Sequence, residues 1–336
     1  MKIWVAGALL ALGATGLAMG YAEAIERAEH RPPVESARAE LTDAEVQWQR
    51  LQNDPEALRL ERLQARQRLE LARAQLRLER VRSAAEIGRA YTQVLDSEAA
   101  YRLASMSREL AERSVKIARL RYVKGGISRQ DLPAAELRLE DAANGLRKAD
   151  EARSLARSQL ASLIGPNAGP QELRPPGNPV VPPLGAVYLS LHEHPDRLRM
   201  QHAVELAETA LALLDPSYAS RAQIEAAELQ LAKARDGLDE VVRGLELQAK
   251  QRWQEVSRLQ RELELAEKRD VKADTDQRIA LQRYRTGLIS EIDLLRARFA
   301  RAQAAFEVQT AAHAYLNAAW DLAVATAQPL EVNDAP

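Results

Sequence analysis

The sequence contains no cysteine among its 336 residues. That excludes a disulfide framework, a thiolate metal site, a cysteine nucleophile and lipid attachment through a thiol. Aromatic residues are scarce at 4% (2 Phe, 4 Trp, 8 Tyr), too few to build a thick globular core from large rings. An excess of charge of one sign is also missing. The 47 Lys+Arg and 48 Asp+Glu leave a formal net charge of -1, so no global field draws the chain toward nucleic acid or anionic lipid. No phosphate-binding glycine loop, nucleophile elbow or zinc helix occurs, and neither an enzymatic activity nor a cofactor is expected. What the chain has in quantity is Ala, Leu, Glu and Arg, with 28% charged residues. This is the composition of long, solvated helices and coiled coils rather than of a multi-span membrane protein.

The amino terminus reads as an address. Met1-Lys2 precedes an apolar run from Ile3 to Met19, and the small-residue exit Gly20-Tyr21-Ala22 stands before Glu23. One positive charge, an apolar stretch and a small-x-small exit describe a secretory leader over residues 1–22, cleaved after Ala22. The run would be about 25 Å long as a helix, marginal for a membrane span, so retention as an amino-terminal anchor is the alternative. Either outcome places the rest of the chain outside the cytoplasm, as an exported protein.

Proline and glycine divide the remainder of the chain. From Glu56 to Lys124 there is no proline and only Gly88; from Ala219 to Thr286 there is no proline and only Gly237 and Gly244. Each stretch predicts one helix about 100 Å long, which needs lateral packing rather than propensity alone. Each is followed by a Gly-containing turn and a second helical pattern, Arg129 to Ile164 and Glu291 to about Ala327. Between the halves, Gly165 to Gly185 holds seven of the 15 prolines and cannot be helical throughout. The expected organisation is therefore all-α. It has two tandem helical hairpin repeats, 23–164 and 186–327, joined by a Pro-rich linker 165–185 and ending in a tail 328–336.

The halves are also related residue by residue. Arg121-Tyr122-Val123-Lys124-Gly125-Gly126-Ile127-Ser128-Arg129-Gln130-Asp131-Leu132 aligns at an offset of 162 with Arg283-Tyr284-Arg285-Thr286-Gly287-Leu288-Ile289-Ser290-Glu291-Ile292-Asp293-Leu294. Tyr91 and Trp253 stand at the same offset, and Asp54-Pro55 recurs as Asp215-Pro216. A duplicated unit is expected. Gly125 and Gly287 can adopt the left-handed conformation that stops a helix. Ser128 and Ser290, with Asp131 and Asp293 three residues on, form S-x-x-D capping boxes for the returning helices. Pro133 disturbs the first copy unless Asp131 is the cap, which would put the proline in the first turn.

Hydrophobic spacing predicts side-by-side packing. Leu132, Leu139 and Leu146 recur every seven residues with Ala135, Ala142 and Ala149 between them, an antiparallel coiled-coil seam. The outgoing helix carries two stripes, Leu69-Ala72-Leu76 and Leu71-Ala74-Leu78-Val81, so neighbours are expected on two sides, as in a sheet or tube of helices.

The tip pattern R-Y-x-x-G-x-I-S-x-x-D-L, present twice in register, resembles the hairpin tips of TolC-like outer-membrane efflux proteins. Leu191-His192-Glu193-His194-Pro195-Asp196 resembles the segment that opens the second half in that family. The resemblance covers nearly all of the chain after the leader, and it implies an α-barrel built from three chains (a homotrimer) that crosses the periplasm. It implies tips that meet a periplasmic adaptor protein coupled to an inner-membrane pump, and export of drugs, metals or secreted proteins. The partner-binding residues it implies are Gly125, Gly126, Ile127 and Ser128 in the first tip and Gly287, Leu288, Ile289 and Ser290 in the second. Asp131 and Asp293 are either helix caps or residues at a pore entrance. The chain departs from the family at Asn53-Asp54-Pro55 and Leu214-Asp215-Pro216-Ser217-Tyr218. There the family inserts pairs of membrane strands, each of which needs about 9–11 residues. The expectation is a TolC-like helical conduit without the transmembrane β-barrel; a structural coiled-coil tether of the envelope, with no lumen, is the alternative.

Other sites are weaker. His192-x-His194 and His202 lack carboxylates at liganding spacing, and a solvated helix start is the plainer reading, so no metal is expected. Arg121, Lys124, Arg129, Arg283 and Arg285 make the tips basic, either as a solvated face or as an attraction for an acidic partner.

Overall fold

The computed structural model describes residues 19–126, 128, 130–165, 173–215 and 217–332. The leader assigned to residues 1–22 lies outside these residues except for Met19 to Ala22. Among the described residues eight α-helices follow one another: α1 (Tyr21–Glu26), α2 (Pro32–Asn53), α3 (Arg59–Val123), α4 (Asp131–Ile164), α5 (Leu184–Ser190), α6 (Pro195–Ala212), α7 (Arg221–Arg285) and α8 (Glu291–Thr326). The two proline-free stretches become α3 and α7, each of 65 residues, roughly 98 Å at 1.5 Å per residue.

Each long helix is flanked by two shorter ones that occupy successive lengths of it. On α3, Leu69, Ala72 and Leu76 pack against Val34, Ala37 and Ala44 of α2. Nearer the far end of α3, Arg119 pairs with Glu136 of α4 at 2.9 Å. On α7, Arg235 pairs with Glu208 of α6 at 2.8 Å, and Arg301 of α8 pairs with Asp270 and Asp274. The halves join because α3 also faces α6, through the Gln67 amide on Glu205 at 2.7 Å, and α8, through Asp96 on His313 at 2.6 Å. The lateral order is thus α2 with α4, then α3, then α6 with α8, then α7. The first leucine-alanine stripe of α3 faces α2. The second, with Ala74, Leu78 and Val81 buried, continues the face on which Gln67 meets α6. On α4 between Leu132 and Ala149, the half-buried positions are Leu132, Ala135, Leu139, Ala142, Leu146 and Ala149, with exposed residues between them.

The largest core sits at the middle of α3. There Val81, Ala85, Ile87, Tyr91 and Val94 meet Tyr21 and Ala24 of α1, Leu160 and Ile164 of α4, and Leu316 and Trp320 of α8. The Trp320 and Tyr21 rings fit because Gly88 has no Cβ. A Cβ there would lie 2.5 Å from the Tyr21 hydroxyl and 2.9 Å from the Trp320 ring nitrogen. A matching cluster sets Val187 of α5 and Leu191 against Leu245, Ala249 and Val256 of α7 and Leu322 of α8. The duplication therefore reaches further than the tips suggest. A short helix and a 3₁₀ turn (Arg27–His30, Leu191–Glu193) precede a Pro-started helix in each half, α1 before α2 and α5 before α6.

The linker is extended where it is described. Leu173 bridges in parallel to Met19, and Pro179 bridges in antiparallel fashion to Val332. These are isolated bridges, and among the described residues there is no strand. At the two Asp-Pro breaks the chain turns within 54–58 and, among the described residues, within 213–215 and 217–220. Each Asp carboxylate accepts a backbone N–H two residues on, Glu56 at 2.9 Å and Ser217 at 2.8 Å. No described helix is long and apolar enough to cross a membrane.

Candidate functional site

The two tips stop their helices by the same geometry. Gly125 has φ 72° and Gly287 has φ 76°, a region costly for any residue with a Cβ. Gly126 N–H donates to Arg121 C=O and Gly125 N–H to Tyr122 C=O, at 2.8 and 2.9 Å. In the second tip Leu288 N–H donates to Arg283 C=O and Gly287 N–H to Tyr284 C=O, at 2.8 and 3.0 Å. Both are Schellman turns, which satisfy the last helical carbonyls. The recurring Arg-Tyr pair supplies those carbonyls, while its side chains remain exposed.

The returning helices begin differently. In the second tip Ser290 is the N-cap. Its hydroxyl and N–H donate to the Asp293 carboxylate at 2.6 and 3.3 Å, and Asp293 N–H returns a bond to the Ser290 hydroxyl at 3.4 Å, a reciprocal capping box. In the first tip α4 starts at Asp131 with Gln130 in the cap position. Asp131 still reaches back to Ser128 N–H at 2.9 Å, and Pro133 falls in the first turn, where no N–H is required. The reason is the proline: a helix capped by Ser128 would carry it two residues further in, beyond the first turn. Hydrogen bonds from Ser128, side chain first and then backbone, hold the Asp131 carboxyl below the usual carboxylate range. Those from Ser290 do the same for Asp293, with Arg296 adding to it.

Around these turns the surface is apolar and basic together. Val123 is 84% exposed and Leu288 74%, and Leu120, Tyr122 and Tyr284 are also exposed. Arg121, Lys124, Arg283 and Arg285 lie among them, exposed. Gly125, Gly126, Ser128, Gly287, Leu288 and Ser290 are all at the surface, and Ile289 is half-buried beneath its tip. Ile127 and Arg129 lie outside the described residues. The tips belong to adjacent staves, since Arg113 of α3 pairs with Glu291 at the start of α8 at 3.5 Å.

Two of the three histidines His192, His194 and His202 make contacts within the fold. His194 is buried and caps α6, its Nδ1 accepting Asp196 N–H at 3.2 Å, and burial pushes its pKa down. His202 bonds Glu70 of α3 at 3.1 Å, and His192 is exposed. Among the described residues no group of three or more metal-liganding side chains forms.

Two features went unread in the sequence. Exposed leucines line the outer edges of the helix sheet: Leu229, Leu247 and Leu265 on α7, and Leu137 and Leu155 on α4. Their common spacing of eighteen, five full turns of 3.6 residues, was the signal available. The other is the shared role of Tyr91 and Trp253. Tyr91 hydroxyl lies 2.9 Å from Met19 C=O and 2.8 Å from Arg174 C=O, and Trp253 ring N–H donates to Pro182 C=O at 3.1 Å. Repeat-related rings thus hold the extended linker.

With the geometry in view, the fold is that of TolC-like outer-membrane channels. The sequence matches no family model and no curated protein. Among solved structures, a chain of CusC, described in terms of transmembrane channel formation, is 14% identical and superposes with a TM-score of 0.66 over 91% of this chain and 95% of that one. The Campylobacter jejuni CmeC outer membrane channel is 12% identical, with a TM-score of 0.64 over 91% and 85%. The open state of the Neisseria gonorrhoeae MtrE outer membrane channel is 15% identical, with a TM-score of 0.62 over 92% and 89%. At such identities the likeness is one of fold, and this chain has that fold with no strand among its described residues.

Proposed function

We propose that this chain is a non-enzymatic, envelope-located conduit component of an efflux or secretion system. Copies associate laterally, the α7 edge of one against the α2 and α4 edge of the next, into a homotrimeric tube. The tips 125–128 and 287–290 dock a periplasmic adaptor protein that couples the tube to an inner-membrane pump. The observation that carries this reading is the pairing of two open edges, each bearing a line of exposed leucines, with two tips of matched geometry at one end of the same sheet. Leucines left in water on both edges are stabilised by burial at about 25 cal/mol per Å² of apolar surface, and two unlike edges favour a closed ring over a two-fold dimer. Neighbours of the same fold are outer-membrane channels, which supports envelope placement.

Negative-stain imaging of the purified chain tests the tube, which must show a central hole; a solid rod would instead favour the envelope tether. Gly125→Pro with Gly287→Pro tests the tips. Proline forbids φ near +75° and removes an N–H that each turn uses, so adaptor capture from envelope extracts should be lost while helix content by circular dichroism changes little. Retained capture would count against tip docking.

A further inference from the structure

Met19 to Ala22 stand where the leader was expected to end, yet Met19 and Tyr21 are buried in the interior. Met19 is 3% and Tyr21 7% exposed. The Tyr21 ring meets Tyr91 edge-on, with centroids 5.2 Å apart and planes at 85°. Its hydroxyl accepts the Trp320 ring N–H at 2.6 Å. Met19 C=O accepts from Arg174 N–H at 3.3 Å and lies against the Tyr91 hydroxyl, whose pKa burial pushes up to about 12. Scission after Ala22 would strip the partners from the Trp320 indole and Arg174 N–H, and would leave a void beside Gly88. Gly88 is a mid-helix glycine whose missing side chain is explained by Tyr21. The duplication argues the same way. α1 starts at Tyr21 and α5 at Leu184, while α2 starts at Pro32 and α6 at Pro195. Both pairs stand 163 apart, so Tyr21 opens the first repeat as Leu184 opens the second.

We propose that the leader is removed after Ala18, so that the exported chain begins at Met19 and keeps Tyr21 in its core. Gly16-Leu17-Ala18 presents small residues at the third and last positions before scission, the same chemistry as Gly20-Tyr21-Ala22. Only scission after Ala18 leaves both Met19 and Tyr21 in the folded body. This inference rests on the proposed export of the chain to the envelope.

The test is intact mass and amino-terminal sequencing of the full chain, expressed with its own leader in a bacterial host and recovered from the envelope fraction. A start at Met19 is expected. A start at Glu23, or an envelope-bound chain still beginning at Met1, overturns the proposal. Intact Met1 chain confined to the cytoplasm overturns the export reading, and this inference with it. In parallel, Ala18→Arg should accumulate precursor, whereas Ala22→Arg, on an exposed side chain, should be processed as the parent is. Precursor accumulation with Ala22→Arg and not with Ala18→Arg would put scission after Ala22 and overturn the proposal as well.

Discussion

Replacing Gly88 by alanine sets two principles against each other, and their magnitudes decide the sign. In the interior of a 65-residue helix the substitution should stabilise by about 1 kcal/mol through helix propensity. At this position the new Cβ would stand 2.5 Å from the Tyr21 hydroxyl oxygen and 2.9 Å from the Trp320 ring nitrogen. Ordinary contact begins near about 3.5 Å, so the phenol must retreat by roughly 1 Å. It has little room to do so, because Tyr91 and Ile87 beside it are 0% and Trp320 is 3% exposed. Overpacking of this kind costs about 1–3 kcal/mol, and parting the indole from the phenol adds about 1 kcal/mol. The net expectation is a destabilisation of about 1–3 kcal/mol. Urea unfolding at one fixed protein concentration, followed by tryptophan fluorescence and circular dichroism, measures it. Gly88→Ala combined with Tyr21→Phe removes the nearest atom and should recover part of the loss, a coupling that independent sites would not show. A midpoint that is unchanged or raised by Gly88→Ala alone would refute the account of this core, and with it the structural role given to Tyr21.

Three other outcomes are expected. Leu247→Arg, on the outer side of α7 where the leucine is 58% exposed, should leave helix content unaltered and convert the assembly to monomer in sedimentation velocity; unchanged sedimentation would remove the α7 edge from the proposed interface. Leu316→Ala, at a side chain 1% exposed in the central cluster, should cost about 2–5 kcal/mol in urea unfolding, and a cost below about 1 kcal/mol would mean that the core is not packed as described. The tip carboxyls should titrate low. Asp131 and Asp293 are both depressed in the folded state, so their contribution is fully present above the unfolded value of about 3.9 and is lost as pH falls through the folded one. Carboxyl-selective NMR should place the Asp293 midpoint below that value, and Ser290→Ala should move it up; a midpoint at or above about 3.9 would show the capping box to be absent in solution.

Much of the scaffold could be read locally. Glycine and proline placement marks the limits of α3 and α7 to within a few residues. The positive φ of Gly125 and Gly287 follows from the Schellman turn that their position requires, and the seven-residue leucine spacing of α4 marks the face it turns to α3. These are effects within a few residues of one another, where backbone sterics and hydrogen bonding act without the rest of the chain. The sequence left two helix starts open where two local rules competed. In the first tip Ser128 and Pro133 called for different helix starts, and the cost of an interior proline prevailed, moving the start of α4 to Asp131.

What lay beyond the sequence was which faces meet. Nothing near Tyr21 announces that its hydroxyl will take the N–H of Trp320, 299 residues away, and Gly88 looks like an ordinary weak point in a helix until both rings are set against it. The same holds for the burial of His194 at the start of α6, which local spacing reads as a solvated helix entry, and for Tyr91 and Trp253 as fasteners of the linker. Periodicity determines that a stripe will be buried, but the partner is chosen by how volumes and hydrogen bonds close across the whole chain. Only the tertiary structure could therefore show that Tyr21, read locally as part of a leader, packs as the first residue of α1.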